Sequence, residues 1–144
     1  MPKIYKSAVI GAPIAKVWPL LRDFGGIHKI APIAKSTEIQ GGEPADRIGA
    51  VRDIHTHDGG LIRERLVALS DHEHTQTYVI LESPLGVTDY EATIHALPVT
   101  AGDHTFVEWS ASFGCERGRE AELVEAIGNG VFAAALEQVK TLIG

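Results

Sequence analysis

The chain has 144 residues, 44% apolar and 22% charged, with a net charge of −6 and a single cysteine, Cys115. This composition predicts a soluble protein of one domain, residues 1–144, able to form a core without disulfides or a structural metal. The acidic balance and the lack of any Lys/Arg run argue against nucleic acid as a partner, and no apolar run approaches the roughly 20 residues of a membrane-spanning helix. The lone cysteine and an N-terminal MPKIYKSAVI without the apolar stretch of a secretory signal point to the cytoplasm, and a monomer or homodimer is expected.

The chain opens with a strand-like alternation over Lys3 to Ile10. GAPIAKVWPLLRDFGG then predicts a short helix entered at Pro13, whose fixed φ suits a first turn, with Pro19 near a kink or the last turn. Trp18 and Phe24 are expected to brace this region against a sheet, and a second short helix falls around Ile27 to Ile30. Six strand-like runs follow: KSTEIQ, GAVRDIHT, LIRERLVAL, TYVILE, TDYEATIHAL and TFVEWSASF, separated by turn chemistry. From Arg119 to Ile143, Val124, Ile127, Val131, Ala135, Val139 and Leu142 recur at helical spacing, which predicts a terminal helix of about 36 Å. A seven-stranded antiparallel sheet must bury one face, and this helix is the element available to cover it. The expected class is α+β, with a gap between sheet and helix that could hold a ligand.

Strand parity indicates which side chains face that gap. In TDYEATIHA the inward set is Thr88, Tyr90, Ala92 and Ile94, and in TFVEWSASF it is Val107, Trp109, Ala111 and Phe113. In LIRERLVAL the carboxylate of Glu64 shares a face with Ile62, Leu66 and Ala68, opposite Arg63 and Arg65. A charge on an apolar face costs several kcal/mol unless it is paired, protonated or met by a ligand, so Glu64 is either a structural ion pair or part of a site. His55 and His57 form an H-x-H, but HDGG reads as a hairpin turn because Asp-Gly favours positive φ. The second cluster, DHEH at Asp71–His74, lies roughly 33 Å away along the intervening strand, so no metal site is expected. Gly128 and Gly130 interrupt the terminal helix, either to make room for a ligand or to allow close approach to a strand.

In order and spacing, APIAKVWPLLRDF, GAVRDI, RERLVALSD, YVILE, YEAT, VEWSASF and the long helix resemble the SRPBCC group of the Bet v 1-like/START superfamily, in its polyketide cyclase/dehydrase and lipid transport branch. The resemblance implies a helix-grip fold, a seven-stranded antiparallel sheet wrapped around the C-terminal helix with two short helices after strand one. It also implies a cavity for lipids, hormones, polyketides or aromatic intermediates. Plant abscisic-acid receptors share the E-R-L run at Glu64, Arg65 and Leu66, the spacing to Tyr78 and Tyr90, and a pocket lysine that matches Lys35. By the same resemblance Arg52, Ile54, Ile80, Ala92, Ile127, Val131 and Ala135 should line the cavity, with Ile62, Tyr78, Trp109 and Gly128 beside them. The receptors' gate and latch have no counterpart in HTHDGG or SPLGV, so phosphatase inhibition is not implied.

With Lys35, Arg52 and Glu64 all facing inward, the cavity would carry one net positive charge and favour a ring-bearing molecule with a carboxylate, phenolate or carbonyl. Two functions remain open. One is a carrier of such a ligand. The other is a cofactor-free cyclase or dehydratase with Glu64 as acid or base, Lys35 or Arg52 stabilising an enolate and Tyr90 donating a proton. Pairing with arginine would lower the Glu64 pKa, whereas burial without a partner would raise it.

Overall fold

The computed structural model describes residues Met1 to Ile143. Strand β1 (Lys3–Ile10) leads through helix α1 (Ile14–Arg22) and a 3₁₀ helix (Phe24–Lys29) to β2 (Ala34–Ile39). Five more strands follow: β3 (Val51–Thr56), β4 (Leu61–Ser70), β5 (Thr75–Glu82), β6 (Val87–Val99) and β7 (His104–Cys115). The C-terminal helix runs as α2 (Glu120–Ile127), a π-helical turn (Gly128–Ala133) and α3 (Ala134–Ile143). The strands form one antiparallel sheet in the order β1-β7-β6-β5-β4-β3-β2. After β1 the chain crosses to the opposite edge by way of α1 and then returns strand by strand. This is the helix-grip arrangement, an open sheet with the long C-terminal helix against it.

Helix α1 starts one residue after Pro13, which caps it in extended conformation, and Pro19 lies inside the last turn. Trp18 is buried on its inner face, and the indole Nε1 donates to Asp71 Oδ1 at 2.8 Å. Arg22 Nε reaches the same oxygen at 2.7 Å, so the DHEH turn fastens α1 to the β4–β5 hairpin. HDGG is a hairpin turn: Gly59 N–H donates to the Thr56 carbonyl, and Gly60 N–H to Thr56 Oγ1 and Asp58 Oδ1. His55 and His57 are exposed. Among the described residues, no three or more His, Cys, Asp or Glu side chains converge as metal ligands would. None of the described helices is long and apolar enough to cross a membrane.

The inner face follows parity where the strands are regular. Tyr90, Ala92, Ile94, Val107, Trp109, Ala111 and Phe113 are all buried. Parity fails at two bulges, and the pocket position implied for Lys35 at another, because one extra residue turns neighbouring side chains to the opposite face. The register shifts between Leu66 and Ala68, and Ala68 is exposed. It shifts again between Thr88 and Glu91, where Asp89 has φ of 50°, and Thr88 is exposed. The third shift lies between Ala34 and Ser36, and it leaves Lys35 exposed. The terminal helix also departs from a 3.6-residue stripe. Its buried residues are Leu123, Ile127, Gly128, Phe132, Ala135, Leu136 and Val139, while Val124 and Val131 are half-buried and Leu142 is 50% exposed. The π turn inserts extra backbone between the two α segments and rotates the stripe. It carries Phe132 onto Trp109, with ring centroids 4.7 Å apart and planes within 14°.

Candidate functional site

Adjacent strands β3 and β4 place Arg52 directly opposite Glu64 on the inner face. Both are buried, at 1% and 6% exposure. Arg52 Nε and Nη2 donate to the same carboxylate oxygen, Glu64 Oε1, at 2.8 and 2.6 Å. Arg52 Nη1 donates to the Phe24 carbonyl at 2.9 Å. The guanidinium packs against two rings, 4.0 Å from the Phe24 centroid and 4.8 Å from that of Tyr78, so cation–π attraction adds to the ion pair. Phe24 therefore does more than brace a helix. It holds the arginine by both its ring and its backbone.

Glu64 Oε2 makes no hydrogen bond within the protein. Among the described residues no sealed-off polar side-chain atom lacks a partner, so Oε2 opens onto space. Glu64 borders a cavity of about 50 Å³ whose other bounds are Ile27, Ala31, Ile33, Ala34, Arg52, Ile54, Ile62, Tyr78, Trp109 and Val131. It lies between the sheet, the C-terminal helix and the segment joining the 3₁₀ helix to β2. Trp109 Nε1 donates to the Tyr78 hydroxyl at 3.1 Å, which fixes both rings at its wall. Burial, and then the charge of Glu64, push the Tyr78 hydroxyl well above the usual tyrosine range, so it stays protonated. For Glu64, burial raises the carboxyl above its ordinary value despite the opposing pull of Arg52. Pairing and a raised pKa, set against each other in the sequence reading, coexist here because burial outweighs the partner.

Of the residues expected at the site, Arg52, Ile54, Ile62, Glu64, Tyr78, Trp109 and Val131 meet at this cavity. Tyr90 is buried but lies outside its wall, with its ring 6.2 Å from that of Phe113 and its hydroxyl raised well above the usual range by burial first and by Tyr78 next. Ala92, Ile127 and Ala135 are core residues away from the cavity, and Ile80 is half-buried opposite Glu64 on β5. Gly128 serves close packing: a Cβ there would stand 3.2 Å from Lys6 Cε and 3.3 Å from Ile4 Cγ2 on β1. Gly130 is exposed. Lys35 takes no part, so the cavity carries Arg52 and Glu64 alone and the expected net positive charge disappears.

The wall formed by Ile27, Ala31, Ile33 and Ala34 was not foreseen. Its sequence signal is the i, i+3, i+4, i+7 spacing of Ile27, Ile30, Ala31 and Ala34 in IHKIAPIA, which points to a short helix with one buried side but not to a cavity wall. Ile33 both lines the cavity and is 39% exposed, which makes it the thinnest part of the barrier to solvent. A larger groove of about 310 Å³, between Lys3, Tyr5, Glu91, Thr93, Ser110 and Ser112, is an open depression on the outer face.

The sequence profile described as polyketide cyclase/dehydrase and lipid transport matches residues 1–144. The chain belongs to that family. Solved structures agree in fold over nearly the whole chain. The protein XoxI from Bacillus cereus superposes with a TM-score of 0.87 at 27% identity, covering 99% of this chain and 95% of its own. A protein from Nitrosospira multiformis gives 0.84 at 30% identity, with 99% and 97% covered. An uncharacterised protein from Bacillus thuringiensis gives 0.85 at 26%, with 97% of each chain covered.

Proposed function

We propose that this member of the family binds a small hydrophobic, ring-bearing molecule in the cavity between sheet and C-terminal helix, as a cytoplasmic carrier or sensor. The observation that carries the reading is Glu64 Oε2, a carboxylate oxygen without a protein partner at the wall of an otherwise largely apolar cavity. Desolvating a carboxylate costs several kcal/mol, and a fold gains nothing from leaving one oxygen unmet unless something else meets it. At about 50 Å³ the cavity has room for a few waters or the polar end of a ligand, against roughly 300–1,000 Å³ for pockets that enclose drug-sized molecules. The ring of a larger ligand therefore enters by displacing the Ile33 wall.

Native mass spectrometry of the purified protein, followed by titration of the stripped protein with whatever copurified, tests this. Saturable binding that is lost in Val131→Phe, which fills the cavity from the helix side, supports the reading. Binding that survives Val131→Phe unchanged places the ligand elsewhere.

A second reading, a cofactor-free cyclase or dehydratase, draws on the raised pKa of Glu64. An oxygen that faces the ligand on a carboxyl tuned upward by burial is suited to moving a proton. Tyr78, rather than Tyr90, is then the hydroxyl at the cavity wall. If the copurified compound or its precursor turns over, Glu64→Gln should lower kcat at saturating compound by about 10²–10⁴. Turnover equal to wild type removes Glu64 from the chemistry.

A further inference from the structure

We infer that the cavity selects a ligand whose buried end is a neutral hydrogen-bond donor, a hydroxyl or an uncharged amine, and disfavours a carboxylate. This rests on the ligand-binding reading above and sharpens it. The two oxygens of Glu64 are not equivalent. Oε1 receives both Arg52 donors, whereas Oε2 receives none and is not sealed off, on a residue that lines the cavity. Arg52 is occupied elsewhere as well, by the Phe24 carbonyl and by the rings of Phe24 and Tyr78 packed against it. With Lys35 exposed, the buried charges at the wall are one cation and one anion already joined.

An anionic ligand would therefore bring a second negative charge beside Glu64 with no free cation to balance it, and such a charge is costly away from water. A hydroxyl gives Oε2 the hydrogen bond it lacks, and a hydrogen bond to a charged acceptor is among the stronger kind. Ile27, Ala31, Ile54, Ile62 and Val131 offer only apolar contact, and the Tyr78 hydroxyl at the wall already accepts from Trp109 Nε1, so Glu64 Oε2 is the acceptor left for the donor end.

Three probes of shared shape separate the possibilities: 4-propylphenol (donor), 4-propylanisole (acceptor only) and 4-propylbenzoate (anion). Each is titrated at pH 7 and followed by chemical-shift changes at the cavity-lining residues. The phenol should bind about ten- to a hundredfold more tightly than the anisole, and the benzoate most weakly of the three. In Glu64→Gln the free oxygen can be replaced by an amide N–H₂ donor, and the phenol preference should collapse or pass to the anisole. The double variant Arg52→Met/Glu64→Leu removes both charges together and should bind phenol and anisole alike. Equal wild-type affinities for phenol and anisole, or a benzoate that binds tightest, overturn the donor inference while leaving ligand binding intact. If none of the three probes shifts the lining residues, the binding reading falls and the inference falls with it.

Discussion

Strands β3 and β4 carry two ion pairs back to back. On the inner face Arg52 meets Glu64, with side chains 2% and 8% exposed, and one residue along on the outer face Asp53 meets Arg63, with side chains 19% and 32% exposed. The chemistry is the same and the register adjacent, yet the carboxyls shift in opposite directions. The Arg63 hydrogen bond pulls Asp53 below its ordinary value, whereas burial lifts Glu64 above its own in spite of two donors from Arg52. Solvent, not the partner, sets the sign. A pair that water can reach is a modest stabiliser, and a pair withdrawn from water is held at a cost that function can explain.

Substitutions can break this contrast. The largest effect belongs to Arg52→Ala, which strands Glu64 without its cation and should lower unfolding free energy by about 3–5 kcal/mol in denaturant titration. Removing both charges in Arg52→Met/Glu64→Leu should recover most of that loss, because the charge left uncompensated by the single change is gone. A double variant as unstable as Arg52→Ala would show that packing of the arginine against Phe24 and Tyr78, and not charge, holds the site. On the outer face Arg63→Ala should cost far less than Arg52→Ala, and the cost should shrink as salt is added.

The pH dependence sharpens the contrast further. Asp53 lies below its ordinary 3.8 when folded, so its contribution is present above that value and is lost as pH falls through the folded pKa. Glu64 lies above its ordinary 4.5, so its contribution is full below that value and is lost as pH rises through the folded pKa. The stability difference between wild type and variant should therefore rise with pH for Asp53→Asn and fall with pH for Glu64→Gln. Parallel slopes would refute the opposition.

Much of the fold was legible because its elements are regular. Alternation located all seven strands, and the apolar stripe located the terminal helix. Parity also turned Glu64, Tyr90 and Trp109 inward, where they lie. The parity misplacements of Ala68 and Thr88 share one cause: a bulge inserts a single residue, and nothing in the local sequence marks it. Lys35 was placed inward by resemblance alone, and it too lies at a register shift. The π turn had a visible trace in Gly128 and Gly130, but not its consequence, the rotation that brings Phe132 to Trp109. Two features of the site depend on register and on distant contacts that no single strand encodes. One is the pairing of Arg52 with Glu64, which leaves Oε2 free. The other is the wall from Ile27 to Ala34, whose apolar spacing marks a buried side but not what that side covers.

The most direct test is a titration of the Glu64 side-chain carboxyl by ¹³C NMR, with Asp53 as the internal comparison. The account predicts a Glu64 midpoint above 4.5 alongside an Asp53 midpoint below 3.8. Saturating 4-propylphenol should then lower the Glu64 midpoint, since a donor to Oε2 favours the ionised form. A Glu64 midpoint at or below 4.5 in the free protein, unmoved by the phenol, would contradict the account.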